Sequence, residues 1–436
     1  MKRVLFALAT VFICVPAIAQ ISFTGRWAGA LNEVRNLKLS FNITEENGAL
    51  KATLDVPAQG AKDMACTGVR TTKDSIFIEM KMLNGKYEGK LTDVNRIDGL
   101  WTQNGMGIVL VLTRTEGKVE LNRPQTPKQP FAYNSEDVIF YSANKGMYYG
   151  ATITTPRDEE KHPALILITG SGPQNRDEEI FGHKPFAVVA DYLTKKGYVV
   201  LRVDDRGVGK SSGDRVNTTS EDYAKDVVEA IGYLKTRKEV DKKKIGLYGH
   251  SEGGMIAQMV AAENKDVHFI VLMAAPGIKI TELMTEQNKA VLANGGLSNE
   301  VVESYTQLYK SIVDQVAKAQ NQDTLRARML AIVDKWVAKT DANTVLTTTG
   351  INDDESKQKF IELFMSQLWN KWWVYFLQYD PKPVLEKLSC KVLALNGDKD
   401  IQVISRSNLE GLNTALAKSK SKVYEAREIQ GVNHLF

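Results

Sequence analysis

From Ile21 to Thr115 apolar and polar positions alternate with a period of two: Leu37, Leu39, Phe41 and Ile43 form one such series, and Ile76, Ile78, Met80 and Met82 another. Alternation of this kind gives a strand one face for a core and one for water. Turn signals recur at Glu46-Asn47-Gly48, Asn84-Gly85 and Asn104-Gly105. About eight strands at that spacing predict an antiparallel sandwich or small barrel. Gly25-Arg26-Trp27 and Gly99-Leu100-Trp101 read as matched strands that would close a lipocalin-like barrel, with Trp27 and Trp101 filling its core.

The pattern changes after Asn122-Arg123-Pro124-Gln125-Thr126-Pro127-Lys128-Gln129-Pro130, where three prolines in seven residues predict an extended linker. Beyond it, apolar runs at Ala164 to Ile168, Val199 to Val203, Ile245 to Tyr248, Phe269 to Met273 and Val392 to Leu395 alternate with helical stretches such as Lys184 to Lys196 and Ser220 to Lys235. Uninterrupted apolar strands between helices predict a mostly parallel sheet covered on both faces. Val138 to Tyr141 and Tyr148 to Thr154 fit an antiparallel entry to that sheet. The alternation pauses between about 278 and 388, a helical stretch holding Leu368-Trp369-Asn370-Lys371-Trp372-Trp373-Val374-Tyr375-Phe376. An insertion there predicts a helical cap, its aromatic residues divided between an acyl pocket and the cap's own core.

The N-terminus reads differently again. Lys2 and Arg3 precede an apolar run from Val4 to Val15, and Ala17-Ile18-Ala19 offers a cleavage site before Gln20. These are the parts of a secretory signal peptide, so the mature protein is expected to be secreted or periplasmic. Ile13 before Cys14 does not suit lipidation, and the apolar run is shorter than the ~20 residues of a membrane span. The expected division is therefore 1–19 signal peptide, 20–116 all-β unit, 117–134 linker and 135–436 α/β unit. Cleavage would lower the formal charge from +4 to +2, with 54 basic against 52 acidic side chains, which suggests no nucleic-acid partner. Cys66 and Cys390 lie in different expected domains and read as free thiols; no Cys/His spacing suggests zinc, and no cofactor is expected.

The chemistry gathers at Lys244-Ile245-Gly246-Leu247-Tyr248-Gly249-His250-Ser251-Glu252-Gly253-Gly254-Met255. An apolar strand, a Gly-x-Ser-x-Gly pentad and an apolar helix together make the nucleophile elbow of an α/β-hydrolase, with Ser251 as the nucleophile. A serine hydroxyl needs a base, and the base needs an acid to orient it. In this fold the order is nucleophile, acid, histidine. Of five histidines, His434 alone lies downstream of a plausible acid. Leu393-Ala394-Leu395-Asn396-Gly397-Asp398-Lys399-Asp400 runs off a strand into a turn and supplies that acid, Asp400 in preference to Asp398.

Oxyanion donors are expected at the backbone N–H of Glu252 and in the loop Thr169-Gly170-Ser171-Gly172-Pro173-Gln174, at Ser171 or else Gly172. Asp204-Asp205-Arg206-Gly207-Val208-Gly209-Lys210-Ser211 has the look of a phosphate loop but lacks the first glycine at the required spacing. It reads instead as a structural loop with its charges in a buried or edge network.

Taken together, Ile168-Thr169-Gly170-Ser171-Gly172-Pro173-Gln174-Asn175-Arg176-Asp177-Glu178, Gly182-His183-Lys184-Pro185-Phe186, Asp204-Asp205-Arg206-Gly207-Val208-Gly209, Gly249-His250-Ser251-Glu252-Gly253-Gly254 and Leu395-Asn396-Gly397-Asp398-Lys399-Asp400 resemble the secreted bacterial carboxylesterases of the EstD type. The likeness runs from about Pro130 to the end. It implies a capped α/β-hydrolase fold, Ser251, Asp400 and His434 as the catalytic set, and short acyl esters as small-molecule substrates. Similar sequences are often labelled peptidases, so an aminopeptidase or dipeptidyl peptidase on the same residues is the alternative. A lipid- or glycan-binding protein with a vestigial hydrolase is a third reading. The resemblance also implies a final helix after the histidine loop, whereas this sequence has two residues after His434.

Overall fold

The computed structural model describes residues 22–31, 37–57, 61–103, 106–116, 123–143, 146–180 and 182–436. The expected signal peptide, the Asn104-Gly105 turn and residues 117–122 of the expected linker lie outside the described residues. Two compact units are present, Met1–Arg123 with Ile180–His183, and Pro124–Glu179 with Lys184–Phe436.

The first unit is a nine-stranded antiparallel sheet: β1 (Gly25–Leu31), β2 (Leu37–Glu46), β3 (Ala49–Val56), β4 (Ala61–Ala65), β5 (Gly68–Thr71), β6 (Ser75–Met80), β7 (Gly85–Asp93), β8 (Arg96–Gln103) and β9 (Met106–Thr115). The order across the sheet is β4-β3-β2-β1-β9-β8-β7-β6-β5. Asn47 and Gly48 both take positive φ, the geometry that lets β2 turn directly into β3. The alternation seen in the sequence becomes a core of Trp27, Leu39, Phe41, Ile43, Ile76, Ile78, Met80, Tyr87 and Trp101. One pairing differs from expectation. The Trp27 and Trp101 strands do not pair with each other; β9 lies between them, pairing with β1 on one side and β8 on the other. Both strands carry a Gly-x-Trp string because both aim an indole into the same core, and a shared destination does not make two strands neighbours.

The second unit is built on an eight-stranded sheet: β10 (Asn134–Tyr141), β11 (Tyr148–Thr155), β12 (His162–Ile168), β13 (Val199–Val203), β14 (Val240–His250), β15 (Val267–Met273), β16 (Lys391–Gly397) and β17 (Tyr424–Ile429). Its order is β10-β11-β13-β12-β14-β15-β16-β17. The entry hairpin and the β11/β13 pair are antiparallel, and every pair from β13 onward is parallel. Along β12 the two faces separate by parity. Leu165 and Leu167 pack with Phe186 and Ala190 of α1 (Pro185–Lys195). Ala164, Ile166 and Ile168 join a cluster with residues of α2 (Ser220–Leu234) and α3 (Glu252–Glu263). Each leucine or isoleucine buried in this way contributes about 1.5–3 kcal/mol relative to exposure, so the strand cannot slip by one residue without reversing both layers. With parallel strands covered on both faces and a sharp strand-to-helix turn at Ser251, the unit has the α/β-hydrolase fold.

Between β15 and β16 the chain forms a helical cap: α4 (Ile280–Asn294), α5 (Asn299–Lys318), α6 (Gln322–Val337), α7 (Ala342–Thr349), α8 (Asp354–Leu368), α9 (Lys371–Gln378) and α10 (Pro381–Leu385). The cap has its own core, with Leu308, Ile312, Val316, Met329, Ile361 and Phe364 buried. After β16, α11 (Ser405–Leu416) returns Leu409, Leu412 and Leu416 to the main core.

Candidate active site

β14 ends at His250 and α3 begins at Glu252, so the whole reversal falls on Ser251. Ser251 sits at φ 55° and ψ −119°, a region that costs a residue with a Cβ of order 1–3 kcal/mol and persists only where its surroundings impose it. Here its N–H is held by the Met273 carbonyl of the neighbouring strand at 2.8 Å. The flanking glycines fit for a steric reason. A Cβ on Gly249 would collide with the Gly253 carbonyl, and one on Gly253 with the Ile168 carbonyl.

His434 is buried at the end of the loop after β17, and its Nδ1 lies 2.8 Å from Asp400 Oδ2. Asp400 is fixed in turn. Its Oδ1 accepts the N–H groups of Gln402 (2.8 Å) and Val403 (2.9 Å), and Asn396 Nδ2 reaches its Oδ2 at 3.2 Å. Asp398 is spent elsewhere, accepting the Gly431 N–H at 2.6 Å and facing Lys399. With Nδ1 committed to Asp400, Nε2 of His434 is the nitrogen left for proton transfer. The His434 ring lies 4.8 Å, centroid to centroid, from that of His250, the residue before Ser251. The carboxylate, the imidazole and the elbow therefore meet at the C-terminal edge of the sheet, the edge at which open α/β folds carry their ligands.

Ser251 opens into a cleft of about 290 Å³. Ser171 lines it from one side and Leu283, Met284, Trp372, Trp373, Phe376 and Val403 from the others. Of the aromatic run, Trp372, Trp373 and Phe376 line the cleft, Trp372 and Phe376 stacking at 4.9 Å, whereas Trp369 and Tyr375 pack against the cap core without lining it. In the loop after β12 the Gly170 N–H is already bonded to Glu178 Oε1 at 2.7 Å, and Ser171 is the next residue along. Glu252, as the first residue of α3, has a backbone N–H with no acceptor inside the helix.

The bonds that hold the Glu252 side chain in the site were not foreseen. Its carboxyl is buried, Oε1 accepting from Ser220 Oγ (2.6 Å) and Trp372 Nε1 (2.9 Å) while Oε2 has no bonded partner. Burial raises its pKa, and Ser220, Trp372 and Ser171 only partly offset that. Nor was the Glu178–His250 contact foreseen: His250 Nδ1 lies 2.9 Å from Glu178 Oε1. The two residues are 72 positions apart, and the only sign was that both fall inside motif strings.

The loop from Asp204 to Lys210 is a charge network. Asp204 pairs with Arg176 through two bonds (3.0 and 2.6 Å) and accepts the Lys210 N–H. Arg206 grips Asp226, and Asp205 accepts from Thr169 Oγ1 and the Gln174 N–H. A Cβ on Gly209 would strike the Asp204 carboxylate, so that glycine's place is to admit a carboxylate of the protein. Cys66 and Cys390 are free, and burial pushes their thiols up to about 12 and about 11. Among the described residues no group of three or more His, Cys, Asp or Glu side chains is placed to hold a metal ion, and no helix is long and apolar enough to cross a membrane.

The α/β-hydrolase sheet with its elbow serine defines the class of fold. The family model described as X-Pro dipeptidyl-peptidase (S15 family) matches residues 145–415, and the chain belongs to that family. It is similar to esterase EstD of Thermotoga maritima, 34% identical over 158 residues, covering 36% of this chain and 37% of that protein. An uncharacterised 31.7 kDa protein of Escherichia coli is 30% identical over 143 residues, 32% of this chain and 47% of its own length. The matched stretch thus spans less than half of either relative. Among solved structures, an esterase of Pyrococcus furiosus superposes with a TM-score of 0.42 at 15% identity, covering 70% of this chain and 84% of that one.

Proposed function

We propose that the protein is a serine carboxylesterase. The observation that carries this reading is the 2.8 Å His434–Asp400 contact, the His434 ring lying 4.8 Å from that of His250, together with a strained elbow serine that lines an apolar cleft. Ser251 Oγ attacks an ester carbonyl while His434 Nε2 takes its proton. The tetrahedral oxyanion is met by the N–H groups of Glu252 and Ser171. His434 then protonates the departing alkoxide, leaving an acyl-enzyme that water, deprotonated by the same imidazole, releases as the acid. Asp400 orients the imidazole and balances its charge while it is protonated. The cleft, at about 290 Å³, is near the lower end of the roughly 300–1,000 Å³ usual for small-molecule sites, which favours short acyl groups. A fluorophosphonate probe tests the reading. One covalent adduct on Ser251 is the expected result; folded protein with Ser251 unmodified would end it.

A peptidase on the same residues is the second reading, favoured by the family's description and by the buried carboxyl of Glu252 next to the nucleophile. Comparing aminoacyl anilides with acyl esters separates the two, and a preference for anilides would select the peptidase. The all-β unit is read as lipocalin-like, supported by the pairing of its first strand with its last. Export is proposed from the N-terminal sequence, with a mature N-terminus at Gln20; N-terminal sequencing of protein recovered outside the cytoplasm tests it.

A further inference from the structure

His250 is buried, 8% exposed, and both of its ring nitrogens are engaged. Nε2 lies 2.8 Å from the main-chain oxygen of His434, and Nδ1 lies 2.9 Å from Glu178 Oε1. A carbonyl oxygen can only accept, so Nε2 carries a proton. An ionised carboxylate also only accepts, so Nδ1 carries one too, and the ring that satisfies both is the imidazolium. The same Glu178 oxygen accepts the Gly170 N–H at 2.7 Å. One continuous chain of bonds therefore runs from the His434 main chain, through the residue before Ser251, to the residue before Ser171.

Two further observations set this chain apart from ordinary core hydrogen bonding. Glu178 is buried yet adopts φ 51°, a left-handed conformation unfavourable for a side chain of its size. The strain persists where the carboxylate is aimed at two donors on two different elements. Burial alone would push the His250 imidazole down; the Glu178 carboxylate and the His434 carbonyl outweigh it and leave the pKa raised, with Asp400 adding to the effect. Glu178, His434 and Asp400 are the titratable groups that face His250.

We propose that His250 and Glu178 form a second imidazole–carboxylate pair whose role is positional, fixing the His434 main chain and the Gly170–Ser171 loop against the elbow in a single register. The inference rests on Ser251 and His434 being the nucleophile and base. His250 is then a positioning residue: it touches no reacting atom, and it acts by setting where the base and one oxyanion donor stand.

The test compares His250→Phe, which removes both donors, with His250→Gln, whose amide keeps one donor in reach of the His434 oxygen. Turnover of a p-nitrophenyl acyl ester is measured for each, with Ser251→Ala as the control on the parent reading. A displacement of about an ångström at a catalytic group costs roughly 10²-fold, so H250F is expected to lose about that much kcat with KM within about twofold. H250Q is expected to regain about tenfold or more of the loss, because the displacement it leaves is smaller. Wild-type kcat in H250F, or equal losses in both variants, would overturn the proposal while leaving an inactive S251A to uphold the parent reading; an active S251A would instead sink the parent. Should H250F not fold, nitrogen NMR of the wild-type protein with labelled histidine decides the matter. His250 is expected to lose its second ring proton only above the ordinary imidazole value of about 6.5; loss of that proton below this value would overturn the proposal.

Discussion

Trp372 Nε1 lies 2.9 Å from Glu252 Oε1, so cap helix α9 and elbow helix α3 share a hydrogen bond at a buried carboxyl that also accepts from Ser220. Residues 120 positions apart are joined at the rim of the cleft, and the cap is tied to the turn that carries Ser251.

Trp372→Phe keeps most of the ring and removes that donor. Removing one of two bonds to a buried carboxyl oxygen costs about 0.5–1.5 kcal/mol, and a fall of that size is expected in the urea-unfolding free energy. Unchanged stability would mean that the indole N–H does not satisfy Glu252.

Asp205 sets a pH dependence. Burial pushes its carboxyl up to about 8, against the opposing bonds from Gln174 and Thr169. The folded protein therefore holds a proton that the unfolded chain releases above the ordinary carboxylate value. The contribution to stability is fully present below about pH 4 and is lost as pH rises toward about 8, with a slope of at most about 1.4 kcal/mol per pH unit. Asp205→Asn stays neutral throughout. Thermal midpoints measured across this window are expected to fall less steeply for the variant than for the wild type; parallel curves would contradict the assignment.

Asp400→Asn isolates the acid. Asn can keep the bonds to Gln402 and Val403 through its oxygen, but its amide would then face His434 Nδ1 and favour the wrong tautomer. A loss in kcat of about 10⁴ is expected, together with about 1–3 kcal/mol of stability, because the amide nitrogen would also face the Asn396 Nδ2 donor. The same substitution at Asp398 should leave kcat within about threefold, since that side chain is engaged by the Gly431 N–H and Lys399 and not by His434.

The parts of the site that were legible in the sequence are those whose geometry is local. The elbow is a run of adjacent residues whose glycines are required by close backbone approaches, and chain order left His434 as the base. Asp400 and Asp398 could be ranked but not separated, because two turn residues two positions apart differ only in where the fold points them. The Glu178–His250 and Glu252–Trp372 contacts join distant segments, and no spacing rule encodes such meetings. The barrel pairing failed for a related reason: hydrophobic period reveals which face of a strand is buried, whereas the identity of its neighbour depends on how all nine strands are ordered.

The most direct measurement is the steady-state turnover of a p-nitrophenyl acyl ester by wild type and Ser251→Ala. With Ser251 as nucleophile, kcat is expected to fall by roughly 10⁴- to 10⁶-fold while the variant remains folded. A rate unchanged in Ser251→Ala would contradict the account at its centre.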